Sequence, residues 1–231
     1  MAVPQAVIRQ WSTREVPEAQ RMDYYAEVLS SAIDPMGVAK RLREPFNADI
    51  ESVELGPITV IHGAGGAHDA IRGQRDLARS RGRNFHLIVN RASAWNIEHL
   101  GSRHVCQGDA LLVDSRYPHA YRFVSPFDNV HLRLPEEWLT RWVAQPDVLV
   151  GRPILSDSNW GSALTAFVSQ LSPQFVANAP LPHALIADHI GALLALFANE
   201  VSAGAPIAQP VQRALADGIH EIIVQRCTEP A

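Results

Sequence analysis

Apolar and polar positions divide the chain into three zones. Between Pro17 and Ile33, Tyr24, Val28 and Leu29 recur at the spacing of one helix face, and Pro17 suits a first helical position. Asp34-Pro35 and Gly37 stop that helix. From about 45 to 134 the pattern changes to short runs at 58–62, 85–90, 94–100, 110–114, 119–124 and 129–134. Turn residues separate them: Gly56-Pro57, Gly63 to Gly66, Gly101-Ser102, Gln107-Gly108-Asp109, Pro118 and Ser125-Pro126. Many short strands with regular turn signals predict an antiparallel sandwich or barrel. In the last run Val130, Leu132 and Leu134 share one face, and His131 and Arg133 the other.

Helical spacing returns after 157. Asp157, Ser158 and Asn159 offer capping groups, and Leu164, Phe167, Val168, Leu171 and Phe175 follow. After Ala179-Pro180 a second helix places Leu185, His189, Leu193, Phe197 and Val201 near one stripe. Gly204 to Pro210 reads as a linker, and a last amphipathic helix carries Val211, Leu215, Ile219, Ile222 and Ile223. Such a helix has nothing local to pack on. It either docks back on the core or opens a further domain, and the pattern leaves both open.

Composition narrows the class. At 47% hydrophobic residues the chain can bury a core, which excludes general disorder. With 20 basic and 24 acidic residues, net −4, it lacks a global electrostatic footprint for nucleic acid. The local cluster Arg72, Arg75, Arg79, Arg81 and Arg83 reads as a solvated loop or a charged edge strand. Lys40 is the sole lysine, so any lysine chemistry rests on it. Two distant cysteines, Cys106 and Cys227, indicate neither a disulfide framework nor a cysteine zinc site and fit a reducing cytoplasm. No apolar run reaches the ~18 residues of a membrane span, and the first residues lack a secretory pattern.

Candidate chemistry is sparse. Gly63-Ala64-Gly65-Gly66-Ala67-His68 is the nearest approach to a dinucleotide fingerprint, but its third glycine position is His68 and repeated βαβ units are missing. It reads as a strand-connecting loop. There is no Gly-x-Ser-x-Gly, and no residue is assigned a catalytic role. Of ten histidines, His86, His119 and His131 fall on separate strands and could converge on iron or zinc, as in a metal-dependent cupin enzyme; no short-spaced ligand pair supports this. His86, Trp95, Tyr121 and His131 alternate with apolar neighbours and read as the lining of a small-ligand cavity. Asp114 and Arg133 read as a structural ion pair between strands.

One stretch carries more. Gly101 and Arg103, the turn Gly108-Asp109, the apolar strand 111–114 ending in Asp114, Pro118 and then Leu132-Arg133-Leu134-Pro135 follow in an order that resembles the N-terminal AraC-binding-type domain of AraC-family transcription regulators. The early helix and the helices after 157 extend the resemblance over nearly the whole chain; Ser102 is an insertion in the Gly-Arg turn. The resemblance implies an α+β fold, a cupin-like (jelly-roll) β-barrel followed by an antiparallel helix pair. It divides the chain into 1–150 as a barrel effector domain and 151–205 as a helical dimerisation segment. Residues 206–231 become a linker and the first helix of a truncated helix-turn-helix domain. It implies a cytoplasmic homodimer joined through Leu185, Leu193 and Phe197 and a small-molecule effector. DNA contact falls to the missing C-terminal domain alone, with no membrane association, metal, cofactor or enzymatic activity. The alternative is the metal-dependent cupin enzyme, a small-molecule dioxygenase or isomerase.

Overall fold

In the computed structural model, which describes residues 6–41, 45–80 and 82–204, the runs of the middle zone become strands. The elements in chain order are β1 (Arg9–Ser12), α1 (Arg21–Ala32), β2 (Gly37–Lys40), β3 (Ala48–Leu55), β4 (Ile58–Gly65), β5 (His68–Arg72) and α2 (Gln74–Leu77). Next come β6 (Asn84–Asn90), β7 (Trp95–Glu98), β8 (Ser102–Val105), β9 (Ala110–Asp114), β10 (His119–Phe123), β11 (Phe127–Pro135) and α3 (Glu136–Trp142). The last are β12 (Pro153–Ile154), α4 (Asn159–Ser169), α5 (Pro173–Ala177) and α6 (His183–Ser202). One sheet runs β1-β3-β4-β11-β6-β9-β12 and the other β2-β5-β10-β7-β8, with neighbouring strands antiparallel.

The seven-stranded sheet is buried on both faces, which is why its strands read as nearly continuous apolar runs. Its inner face, with Ile50, Ile61, Ile88, Leu111 and Val113, meets Ala70, Trp95, Tyr121 and Phe123 of the other sheet and the α1 residues Tyr25, Val28 and Leu29. Its outer face, with Val60, Leu87, Val89, Leu112, Val130, Leu132 and Leu134, meets the C-terminal helices. One strand therefore serves two cores by alternation.

The glycine run is strand. Gly63 pairs with Ile50 and Asn129, and Gly65 with Ala48 and Phe127. A Cβ on Gly65 would come within 2.7 Å of the Asn47 carbonyl oxygen, so these glycines permit close strand approach.

Asp114 does not pair with Arg133. It accepts from Arg83 Nη2 at 2.6 Å and from Arg116 Nη2 at 3.0 Å, and Arg83 also bonds Glu136 and Asp147. Arg133 instead donates to Thr59 Oγ1 at 2.9 Å. The reason is strand order: β6 lies between β9 and β11, so the two side chains start from strands that are not neighbours. The cluster of arginines also dissolves. Arg72 is buried, Arg83 is in the ion network, and Arg81 lies outside the described residues.

Three helices rather than a simple pair follow the barrel. The backbone N–H of Trp160, at the start of α4, donates to Glu200 near the end of α6 at 3.0 Å, so α4 and α6 run in opposite directions. α6 is long and apolar enough to cross a membrane by length and composition, yet Ile186, Ile190, Leu194 and Phe197 pack on the sheet's outer face. Its buried face is thus one residue away from the predicted stripe. Phe197 is 3% exposed and belongs to the core, Leu193 is half-buried, and Leu185 is 42% exposed. The predicted linker beyond Gly204 and the last helix lie outside the described residues.

Gly191 lets α6 seat on α3. A Cβ there would fall inside the indole of Trp142. On an open helix surface Gly→Ala would stabilise by ~1 kcal/mol. Here Gly191→Ala is expected to reverse that sign and destabilise the chain by about 2–3 kcal/mol through overpacking, measured as a lower urea midpoint.

Candidate functional site

Between α1 and the inner sheet faces lies a cavity of about 60 Å³, enough for several waters or one small ring. α1 and the segment after it supply Tyr25, Leu29, Ile33 and Met36. The strands supply Ile61, His68, Tyr121, Phe123, Phe127, Asn129 and His131, among others. The helix faces the barrel because its buried residues Tyr25, Val28, Leu29 and Ala32 recur at helical spacing.

The polar side of the cavity is anchored by a buried hydrogen-bonded chain. Asp34 Oδ2 lies 2.7 Å from His86 Nε2, and His86 Nδ1 lies 2.8 Å from His131 Nε2. Burial pulls the Asp34 carboxyl up, but the His86 bond and the nearby charges of His86, Arg72 and His119 outweigh it and leave its pKa below the ordinary carboxylate value. Burial, reinforced by neighbouring positive charge, pushes His131 well below the usual histidine range. The Asp34 carboxylate accepts from His86 Nε2–H, and the second bond joins His86 Nδ1 to His131 Nε2, one ring donating and the other accepting.

Arg72 holds the same segment from the other sheet. Its guanidinium is buried and donates to the carbonyls of Pro35 at 2.7 Å and Ser115 at 3.3 Å and to the Ser80 hydroxyl at 2.5 Å. Asp34 and Pro35, which end the first helix, are therefore gripped by both sheets.

The aromatic side centres on His68. Its ring stacks on Phe123 at 4.8 Å and meets Tyr25, Phe46 and Phe127 edge-on, and its Nδ1 donates to the Gly66 carbonyl at 3.0 Å. Burial lowers the His68 pKa to about 4 despite that bond. His119, under the same burial and the charges of His86 and His99, drops to about 3.

Of the four predicted lining residues, Tyr121 and His131 reach the cavity wall. His86 sits one hydrogen bond behind His131, and Trp95 packs edge-on to Tyr121 with its Nε1 buried and unpartnered. The metal trio does not assemble: His86 and His131 turn their nitrogens on each other, and His119 Nδ1 is bonded to the Tyr117 carbonyl at 3.1 Å. Among the described residues no three histidine, cysteine or acidic side chains are grouped to hold a metal ion. Sequence reasoning missed Asp34, His68 and Asn129. Asn129 carried a signal: it shares the inner face of β11 with His131, two residues away.

The model of the AraC-binding-like domain matches residues 25–198. The crystal structure of the AraC-like transcriptional activator CuxR superposes with a TM-score of 0.65 at 15% identity, covering 81% of this chain and 69% of that one. Weaker likenesses include a cupin superfamily protein from Desulfitobacterium hafniense (TM-score 0.31, 10% identity, 42% of this chain and 84% of that one). Ectoine synthase from P. lautus is another (0.29, 14%, 37% and 64%). Curated protein sequences give no match. The fold is thus of the AraC-binding kind that the residue order from Gly101 to Pro135 implied.

The buried histidines fix an acid response. An unfolded histidine titrates near 6.5, whereas folded His68 and His119 take a proton only near about 4 and about 3. Their contribution is complete above pH 6.5 and is lost as pH falls below it, by up to about 1.4 kcal/mol per unit for each. Asp34, with its lowered pKa, loses its contribution only under more acid conditions. Urea midpoints from pH 8 to 5 are expected to drop below 6.5, and His68→Phe to remove about one proton from that slope.

Proposed function

We propose that this chain, which belongs to the AraC-binding-like domain family, senses a small molecule in the cavity beneath α1 on behalf of a transcription regulator. The observation that carries the reading is the chain from His131, in the cavity wall, through His86 to Asp34 at the end of α1. Whatever occupies the cavity touches a group that holds α1 in place. A ligand shifts α1 only so far as it binds two of its arrangements with different affinity.

The helical layer suits the other half of such a regulator. Trp160, Leu181, Leu185 and Leu196 are exposed there, an apolar set that a second copy could cover in an isologous dimer. Leu185 and the half-buried Leu193 stay in this proposed interface, while Phe197 is withdrawn from it by its place in the core. DNA contact falls to a helix-turn-helix region, consistent with the acidic balance of this chain, and such a regulator works in the cytoplasm.

Thermal unfolding against a panel of small metabolites tests the reading. A cognate ligand at 100 times its Kd is expected to add about 2.7 kcal/mol, saturably. Ala70→Met, which fills the cavity from β5, is expected to abolish that gain and leave a folded protein. Equal stabilisation of the filled variant would place the ligand elsewhere and overturn the assignment.

A further inference from the structure

The inner face of β11 grades from apolar to polar along its length: Phe127, then Asn129, then His131. At the apolar end the wall is made of rings, Tyr25, His68, Phe123 and Phe127. At the polar end Asn129 is 8% exposed, and its Oδ1 is buried with no hydrogen-bond partner. An acceptor left unsatisfied in the interior is destabilising, and a donor group would complete it.

The wall also excludes charge. None of the described residues lining the cavity is Asp, Glu, Lys or Arg. Asp34, which stands behind His131 and His86, is already engaged by His86, and the Arg72 guanidinium by carbonyls and a hydroxyl. A ligand ammonium or carboxylate would enter without a counter-charge, which is prohibitive in an apolar site.

We propose that the cavity takes an uncharged single-ring molecule carrying a hydroxyl group, the ring lying among Tyr25, His68, Phe123 and Phe127 and the hydroxyl donating to Asn129 Oδ1. A hydroxyl fits better than an amine or a carbonyl. It supplies the donor without a charge, and its oxygen can accept if the amide turns over. The volume admits one ring and few substituents. This inference rests on the sensing reading and specifies the chemistry of its ligand.

The test uses the full chain with four probes of one ring each: phenol, toluene, benzoate and benzylamine. Calorimetry or ligand-detected NMR is expected to show phenol binding saturably and at least tenfold tighter than toluene, with benzoate and benzylamine weaker than both. Asn129→Leu is expected to bring phenol and toluene to equal affinity. A wild-type measurement guards against misfolding of that variant: the Asn129 side-chain amide signals are expected to shift with phenol and stay unmoved with toluene. Equal binding of phenol and toluene by the wild type, preference for a charged probe, or a phenol preference surviving in Asn129→Leu would overturn the hydroxyl assignment and leave the sensing reading standing. Binding of none of the four would overturn both.

Discussion

A carboxylate taken out of water must be met by positive charge and hydrogen bonds, or it does not stay ionised. Asp34 meets that condition between the two sheets. His86 from the larger sheet bonds it directly, and Arg72 from the smaller one lies close enough to lower its pKa and binds the next carbonyl, Pro35. Arg72 in turn needs Ser80 and the Ser115 carbonyl to satisfy its guanidinium. One buried charge therefore ties α1 and both sheets into a single arrangement. Ion pairs of this kind add little net stability, since desolvation offsets most of the attraction. Their effect here is positional: the cavity exists because α1 is held at that height over the barrel.

The residues that carried the family resemblance turn out to be fasteners of the barrel. Gly108 takes φ +87°, and Asp109 next to it accepts from the backbone N–H and hydroxyl of Ser156 at 2.9 and 3.0 Å. Gly101 takes φ +112°, and Arg103 Nε donates to the Gly151 carbonyl at 2.8 Å. Asp114 anchors the Arg83–Arg116 network. These positions hold loops against the segment that leads into the helices. They specify the fold and say little about the cavity, which is lined by residues outside the motif or between its landmarks.

This division explains what could be read from the chain. Strand positions and the two faces of β11 follow from alternation and turn chemistry, which are local. Ion-pair partners follow from strand order, which is not: with β6 between them, Asp114 and Arg133 cannot be matched without the topology. The buried face of α6 was unreadable for another reason. Nearly every position from Ala184 to Ala198 is apolar, so periodicity selects no stripe, and the choice is made by Gly191 against Trp142. Asp34 looked like a helix stop because its partner, His86, is 52 residues away in sequence.

The double burial of the larger sheet has a consequence for how it finds its register. A strand apolar on one face and polar on the other is aligned by that contrast alone, because a one-residue slip exchanges the faces. β6, β9 and β11 lack most of this contrast, since Ile88 and Leu87, or Leu111 and Leu112, would each be content on either side. What breaks the symmetry is the handful of polar inner residues. Turned outward by a slip, His86, Asn129 and His131 would enter the helical core with nothing to bond. The groups that line the cavity or stand behind it thus act as the alignment marks by which the sheet is assembled.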